Sequence, residues 1–134
     1  MTDFVLGFMS GAGTGEGLGA VRAVREGLPI EAVEKVIRSG QLSPLELDRL
    51  QIPTDRQATS SGKLTPEQSD RLLRILRVIR EAEETFANQE KARRWLRRGT
   101  HVFGGQSPLQ MLDTDVGARN VEALLGRIGH GIAA

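Results

Sequence analysis

The sequence predicts an all-α fold, and three observations lead to this prediction. Ser43 and Thr65 each open a capping box, with Pro at the next position and Glu or Gln three residues after the cap. No segment alternates apolar and polar residues as a half-buried strand does. Aromatic residues make up only 4% of the chain, so Leu, Ile, Val and Ala must form the core. The longest apolar stripe at helical spacing follows Thr65 and comprises Leu72, Ile75, Leu76, Ile79, Ala82 and Phe86.

Two short helices are predicted at the start of the helical region. The first runs from Leu18 to Gly27, a residue type that commonly ends helices. The second has Pro29 in its first turn and ends at Gly40. Its predicted buried face consists of Ile30, Val33 and Ile37.

Two more short helices are predicted before residue 62. The first begins at Ser43 and is ended by the proline at position 53. The second is capped by Thr54 or Asp55. The residues of the first that are expected to pack inward are Leu42, Leu45 and Leu50.

After the long helix, Asn88 is expected to cap a helix that ends at Gly99. Thr114 or Asp115 caps a final helix. The predicted inward residues of these two helices are Ala92, Trp95 and Leu96 in the first and Val121, Leu124, Leu125 and Ile128 in the second.

Between these two helices, Gly104-Gly105 predicts a tight reversal that brings Phe103 close to Pro108. Ser107-Pro108 is typical of a helix start.

Both ends of the chain are expected to be flexible. The stretch SGAGTGEGLG resembles a phosphate-binding loop, but no Lys-Ser or Lys-Thr pair and no βαβ pattern follow it, which favours a tether. The final GHGIAA contains two glycines and predicts a free tail. The predicted organisation is a flexible N-terminus at 1–17, a helical domain at 18–64 and a second domain at 65–134 that starts with the long helix and ends in the tail.

Composition excludes several function classes. Eighteen basic and seventeen acidic residues give a net charge of +1, so no global charge favours nucleic acid. Without cysteine there is no disulfide, thiolate metal site or thiol nucleophile, and two distant histidines make a weak metal site. The apolar FVLGFM is too short for a membrane span. We therefore expect a cytoplasmic protein without metal or cofactor.

Three candidates for catalysis have simpler structural explanations. Asp113 and Asp115 could form a carboxylate site, yet an acidic residue at this place suits a helix N-terminus. Ser107 lacks a positioned base, and His130 lies on the predicted tail. The sequence therefore predicts that the protein is not an enzyme.

Arginines recur along the two central helices, at positions 71, 74, 77 and 80 and again at 93, 94, 97 and 98. Interleaved glutamates favour a solvated, ion-paired face. The alternative is a surface for an acidic partner or for phosphate, with Arg94 and Arg98 beside the single tryptophan. Trp95 itself fits either a core position or an interface anchor.

The third and fourth short helices could form a helix-turn-helix. Its reading helix would offer Arg56 and Gln57 to base edges, with Lys63 just beyond. These few cations would contact only a few DNA phosphates, so DNA binding is possible but is expected to be weak for a monomer.

The C-terminal part resembles the toxin-binding domain of the Xre/MbcA/ParS antitoxin family. The resemblance rests on Ala92, Trp95-Leu96, Gly104-Gly105, PLQMLDTDVG from residue 108 to 117, and VEALLGRIGHGIAA from residue 121 on. A weaker likeness covers the long helix and, over residues 18–62, an Xre-type helix-turn-helix. TDRQATSSGK is poorer in Arg and Lys than the family's usual reading segment, which counts against operator binding.

The resemblance implies the antitoxin of a type II toxin–antitoxin pair. Its partner would be a RES-domain toxin that degrades NAD or uses it for ADP-ribosylation, blocked by the antitoxin's C-terminal region at the NAD pocket. It also implies a homodimer or a hetero-oligomer with the toxin, and autorepression at operator DNA. The alternatives are a DNA-binding transcriptional regulator whose C-terminal domain dimerises, and a helical adaptor without a toxin.

The expected toxin-binding residues follow from the resemblance and from the chemistry of a nucleotide cleft. A slim, nearly uncharged tail could enter such a cleft, and its terminal carboxylate could meet cationic groups that hold NAD phosphates. The residues are Arg94, Trp95, Arg98, Phe103, Gly104, Gly105, Pro108, Gly129, His130, Gly131, Ile132, Ala133 and Ala134.

Overall fold

The structure is a computed structural model that describes residues 16–131. Within this range lie six α-helices: α1 (Glu16–Glu26), α2 (Ile30–Ser39), α3 (Pro44–Arg49), α4 (Pro66–Phe86), α5 (Gln89–Arg97) and α6 (Asp115–Gly129). Single 3-10 helices lie at Arg56–Ala58, His101–Phe103 and Leu109–Asp113. The described range contains no strand, only isolated bridges from Lys63 to Pro29 and to Ser60. The all-α prediction is confirmed.

Two predictions concern residues outside this range. The glycine-rich tether falls largely within residues 1–15, and the end of the predicted tail is residues 132–134. Among helices between residues 16 and 131, none has the length and apolarity needed to cross a bilayer. Helix α1 begins at Glu16, two residues before the expected boundary of the N-terminal segment.

Both predicted capping boxes are present. The Ser43 hydroxyl accepts a hydrogen bond from the Glu46 N–H (3.1 Å), and the Glu46 carboxylate accepts one from the Ser43 N–H (3.0 Å). Thr65 and Gln68 make the same reciprocal pair at 3.1 and 2.9 Å before α4. Each box satisfies two amide groups that the first turn of a helix leaves without partners.

The chain divides into two compact units, residues 1–73 and 74–134, and the division falls within α4. In the first unit, the Leu28 N–H donates to the buried Ser69 hydroxyl (2.8 Å), and the Leu64 N–H donates to the Leu28 carbonyl (2.8 Å). These bonds satisfy backbone groups around a core of Leu28, Ile30, Ala32, Val33, Val36, Leu42, Leu47, Leu50, Ile52, Leu64 and Leu72.

The first unit corrects two sequence predictions. Leu45 was expected to pack inward but is 58% exposed, and Leu47 is buried in its place. Residues two apart on an α-helix point to nearly opposite sides, so Leu45 cannot face the core that Leu47 enters. The predicted fourth helix is a single 3-10 turn, Arg56–Ala58, capped by Asp55 as expected.

In the second unit, the 3-10 helix Leu109–Asp113 packs against both α5 and α6. Leu124 and Ile128, expected to be buried on α6, are half-buried. The buried apolar residues of this unit are Ile75, Leu76, Val78, Ile79, Ala82, Ala92, Leu96, Leu109, Leu112, Ala118, Val121 and Leu125.

Candidate functional site

The segment that follows α5 closes into a small loop. The Thr100 N–H donates to the Gln106 carbonyl (3.1 Å), and the Gly105 N–H donates to the Thr100 carbonyl (2.9 Å). Gly104 and Gly105 have φ angles of 67° and 92°, in the left-handed region that favours glycine. The predicted reversal is confirmed. The glycine pair is exposed, and Phe103 before it is half-buried.

A further capping box follows the loop. The Ser107 N–H donates to the Gln110 side-chain oxygen (2.9 Å), and the Gln110 N–H donates to the Ser107 hydroxyl (3.2 Å). The helix-start role predicted for Ser107 is therefore confirmed. Pro108, predicted to contact a partner, is buried in the free chain together with Leu109.

The start of α6 explains Thr114 and Asp115. The Thr114 hydroxyl caps the helix by accepting from the Gly117 N–H (3.0 Å), and Asp115 pairs with Arg119 (2.9 Å). A Cβ atom on Gly117 would overlap the Met111 carbonyl oxygen, so only glycine fits. Sequence reasoning missed this requirement, although a glycine in the first turn of a helix is an unfavourable choice that signals one.

Helix α5 presents exposed cations. Lys91 and Arg94 are three residues apart and share a face, and Arg98 follows directly after the helix. Among residues 16–131, none forms an ion pair or hydrogen bond with any of these three side chains. We call Lys91, Arg94 and Arg98 the α5 basic face.

Another side of α5 packs inward. Ala92 and Leu96 are buried, and the half-buried Trp95 ring contacts Phe86 of α4 with centroids 5.5 Å apart and planes at 52°. This tilted geometry is favourable for aromatic pairs. Trp95 therefore has a packing role that fixes α5 and leaves the basic face toward solvent.

The predicted free tail begins later than expected. Gly129 belongs to α6, and the His130 Nδ1 atom lies 2.6 Å from the Gly126 carbonyl oxygen. The Gly131 N–H donates to the Ile128 carbonyl (3.0 Å) with a φ of 77°, a glycine helix end. The correction arises because α6 continues through a glycine and ends on the next one. Ile132, Ala133 and Ala134 lie outside the described residues.

Acidic and basic groups meet between α4 and α6. The Arg77 Nε atom lies 3.2 Å from a Glu122 carboxylate oxygen. Glu81, one turn after Arg77, is hydrogen-bonded to Glu122. Burial, this hydrogen bond and the Glu122 charge raise the pKa of Glu81 to about 7, against the opposing charge of Arg77. Sequence reasoning placed Arg77 and Glu81 in a solvated face and missed the contact of Glu81 with Glu122, 41 residues further along the chain.

The DNA-reading candidates of the first unit lie on a short exposed stretch. Arg56 pairs with Glu31 of α2 at 2.9 Å, and Gln57 and Lys63 are exposed. One 3-10 turn stands where a reading helix was predicted. Between residues 16 and 131 there is no group of three or more His, Asp or Glu side chains that could hold a metal ion.

A known protein family matches the C-terminal part of the chain. The model of the antitoxin Xre/MbcA/ParS C-terminal toxin-binding domain matches residues 81–131, which include the α5 basic face, the loop from Thr100 to Gln106 and α6.

Three relatives cover most of the chain, each named Antitoxin Xre. That of Photorhabdus laumondii is 35% identical over 116 residues, 83% of this chain and 78% of the relative. That of Pseudomonas putida is 33% identical over 111 residues (81% and 69%), and that of Yersinia enterocolitica 30% over 117 residues (84% and 79%). The chain belongs to the Xre antitoxin family, as the toxin-binding component of a toxin–antitoxin system.

Proposed function

We propose that this antitoxin neutralises a RES-domain toxin that consumes NAD, either by degrading it or by ADP-ribosylating a target. The role is stoichiometric binding without catalysis by the antitoxin. The contact would be made by the α5 basic face, the Phe103–Gly105 turn and the C-terminal tail.

The observation that carries this proposal is the α5 basic face. Its three cations have no partner among residues 16–131, and they lie in the segment that matches the toxin-binding family model. Burying a cation requires a partner that supplies carboxylates or carbonyl groups. An acidic patch beside the toxin's pocket would complement this face and fix the orientation of the complex.

The tail supplies the occluding element. It follows Gly131 at the end of α6 and consists of three small or apolar residues, Ile132, Ala133 and Ala134. Such a segment is narrow enough for a nucleotide cleft. The α6 helix would hold the base of the tail and direct it toward the cleft.

The competing class, a transcriptional regulator, has less support. Arg56 is engaged by Glu31, and the expected reading helix is one 3-10 turn. A reading helix needs several side chains that reach base edges from one face. We therefore leave autorepression and the helix-turn-helix assignment of residues 18–64 as secondary expectations, to be checked by gel shift with the adjoining promoter at stated salt.

The test is co-expression with the protein encoded by the adjoining reading frame, which the proposal expects to be a RES-domain toxin. Charge reversal at Arg94→Glu with Arg98→Glu should weaken the complex about 100-fold, because like charges would face each other across the interface. Growth should stop and cellular NAD should fall. The measurements are the dissociation constant of the purified pair and the NAD content of the cells.

The matched control reverses two exposed arginines of the first unit, Arg38→Glu with Arg49→Glu. This variant carries the same change in net charge and should keep full inhibition. Equal effects of the two double variants would refute the α5 basic face as the contact. A partner toxin that leaves NAD untouched would refute the RES assignment.

A further inference from the structure

A cluster of three charged groups joins α6 to α4 in the second unit. Arg77 and Glu81 are four residues apart on α4 and therefore share a face. Glu122 of α6 pairs with Arg77 at 3.2 Å, and the Glu122 side chain is only 26% exposed. Glu81, half-buried, is hydrogen-bonded to the same Glu122. The positive charge of Arg77 thus acts on both carboxyl groups.

The charges around this cluster do not balance when both carboxyl groups are ionised. From α4 the facing groups are Arg77 and Glu84, and from α6 the facing group is Glu122. Glu84 adds negative charge but is itself paired with Arg80 at 3.2 Å. Two carboxyl groups within hydrogen-bond distance require a proton between them, because two carboxylates have no donor.

We propose that Glu81 and Glu122 share one proton that fastens α6 to α4, and that loss of this proton weakens the second unit. The shared proton is independent of the proposed function.

The direction of the pH effect follows from the pKa of Glu81, which is raised from 4.5 to about 7 in the folded chain. Between these two values the folded chain binds more protons than the unfolded chain. The stabilisation is therefore complete below about pH 4.5 and is lost as the pH rises through about 7. In alkaline solution the two carboxylates repel each other.

The experiment is urea unfolding of the full chain at pH values from 5 to 8.5, followed by Trp95 fluorescence. Trp95 is the only tryptophan and lies in the second unit, so its signal reports that unit. The unfolding equilibrium constant of the unaltered chain should rise several-fold from pH 5 to 8, below the limit of tenfold per pH unit because Glu81 is partly exposed.

Two variants isolate the carboxyl pair. Glu81→Gln keeps a neutral donor toward Glu122 at every pH, so its unfolding constant should lose most of this pH dependence. The control Glu90→Gln, an exposed position on α5, should keep it. Carbon-13 NMR should show the Glu81 carboxyl titrating near pH 7. Parallel profiles for the unaltered chain and Glu81→Gln, or titration of Glu81 near 4.5, would overturn the shared proton.

Discussion

Two sets of cations, one in each unit, differ in whether they have partners within the chain. In the first unit, Arg56 pairs with Glu31 and the Arg71 guanidinium donates to the Gln51 carbonyl (3.0 Å), so these cations help to close the unit's own fold. In the second unit, the α5 basic face has no partner among residues 16–131. Exposed cations without a partner among these residues also occur in the first unit, at Arg38 and Arg49, so the α5 basic face is distinguished by its position in the segment that matches the toxin-binding family model.

The units also use glycine differently. Gly27 of the first unit ends α1 with a φ of 89°, where a Cβ atom would overlap the Leu64 carbonyl. Gly117 of the second unit lies inside α6, where a Cβ atom would overlap the Met111 carbonyl oxygen. Gly117 thus sets how closely α6 approaches the 3-10 helix at Leu109–Asp113. Disrupting that approach should damage the second unit alone.

The largest expected effect is therefore that of Gly117→Ala. The added methyl group must push α6 away from the Met111 backbone. This displacement should lower the free energy of unfolding of the second unit by about 3 kcal/mol. The measurement is urea unfolding followed by Trp95 fluorescence. Gly126→Ala is the matched control, because it lies on the same helix with nothing within 4 Å of the added Cβ.

The control should stabilise the chain by roughly 0.5–1 kcal/mol, as alanine is the better helix former. A loss of stability at Gly126 similar to that at Gly117 would mean that the close contact with Met111 is not the cause.

Helix starts were predictable from sequence because their chemistry is local. Ser43, Thr65, Asn88 and Thr114 each cap a helix with a side chain that reaches an amide three residues ahead. The same holds for Ser107 before the 3-10 helix. These features need no knowledge of the rest of the fold.

The errors and omissions arise from contacts distant in sequence. Leu45 and Leu47 both fit an apolar pattern, and only the surrounding core decides that Leu47 is buried. The Glu81–Glu122 pair joins two helices, so no local pattern indicates it. The C-terminal tail was predicted too long because glycine content alone does not show that α6 continues through Gly129.

Because α6 extends to Gly129, a truncation can remove the tail without shortening the helix. Deleting residues 132–134 removes the tail and leaves the Gly131 helix end intact. Toxin inhibition should weaken about tenfold, through loss of a few contacts in the pocket. The measurements are residual NAD consumption by the complex and its dissociation constant.

The longer deletion, residues 129–134, also removes the bond from the Gly131 N–H to Ile128 and should lower stability by about 1 kcal/mol. The short deletion therefore separates the tail's role from that of the helix end. Full inhibition after the short deletion would assign the affinity to the α5 basic face instead.

The smallest expected effect comes from replacing single arginines. Arg56 is paired with Glu31, and Arg94 belongs to the α5 basic face. Arg56→Ala should lower the free energy of unfolding by no more than about 0.5 kcal/mol, since its pair with Glu31 is between exposed side chains (64% and 54%). It should leave toxin affinity unchanged. Arg94→Ala should leave stability unchanged and weaken toxin binding. A double-mutant cycle of Arg56→Ala with Glu31→Ala measures the pair itself. If Arg56 also proves necessary for toxin binding, the α5 basic face is not the specific contact, because a paired cation of the first unit would then contribute to toxin binding as well.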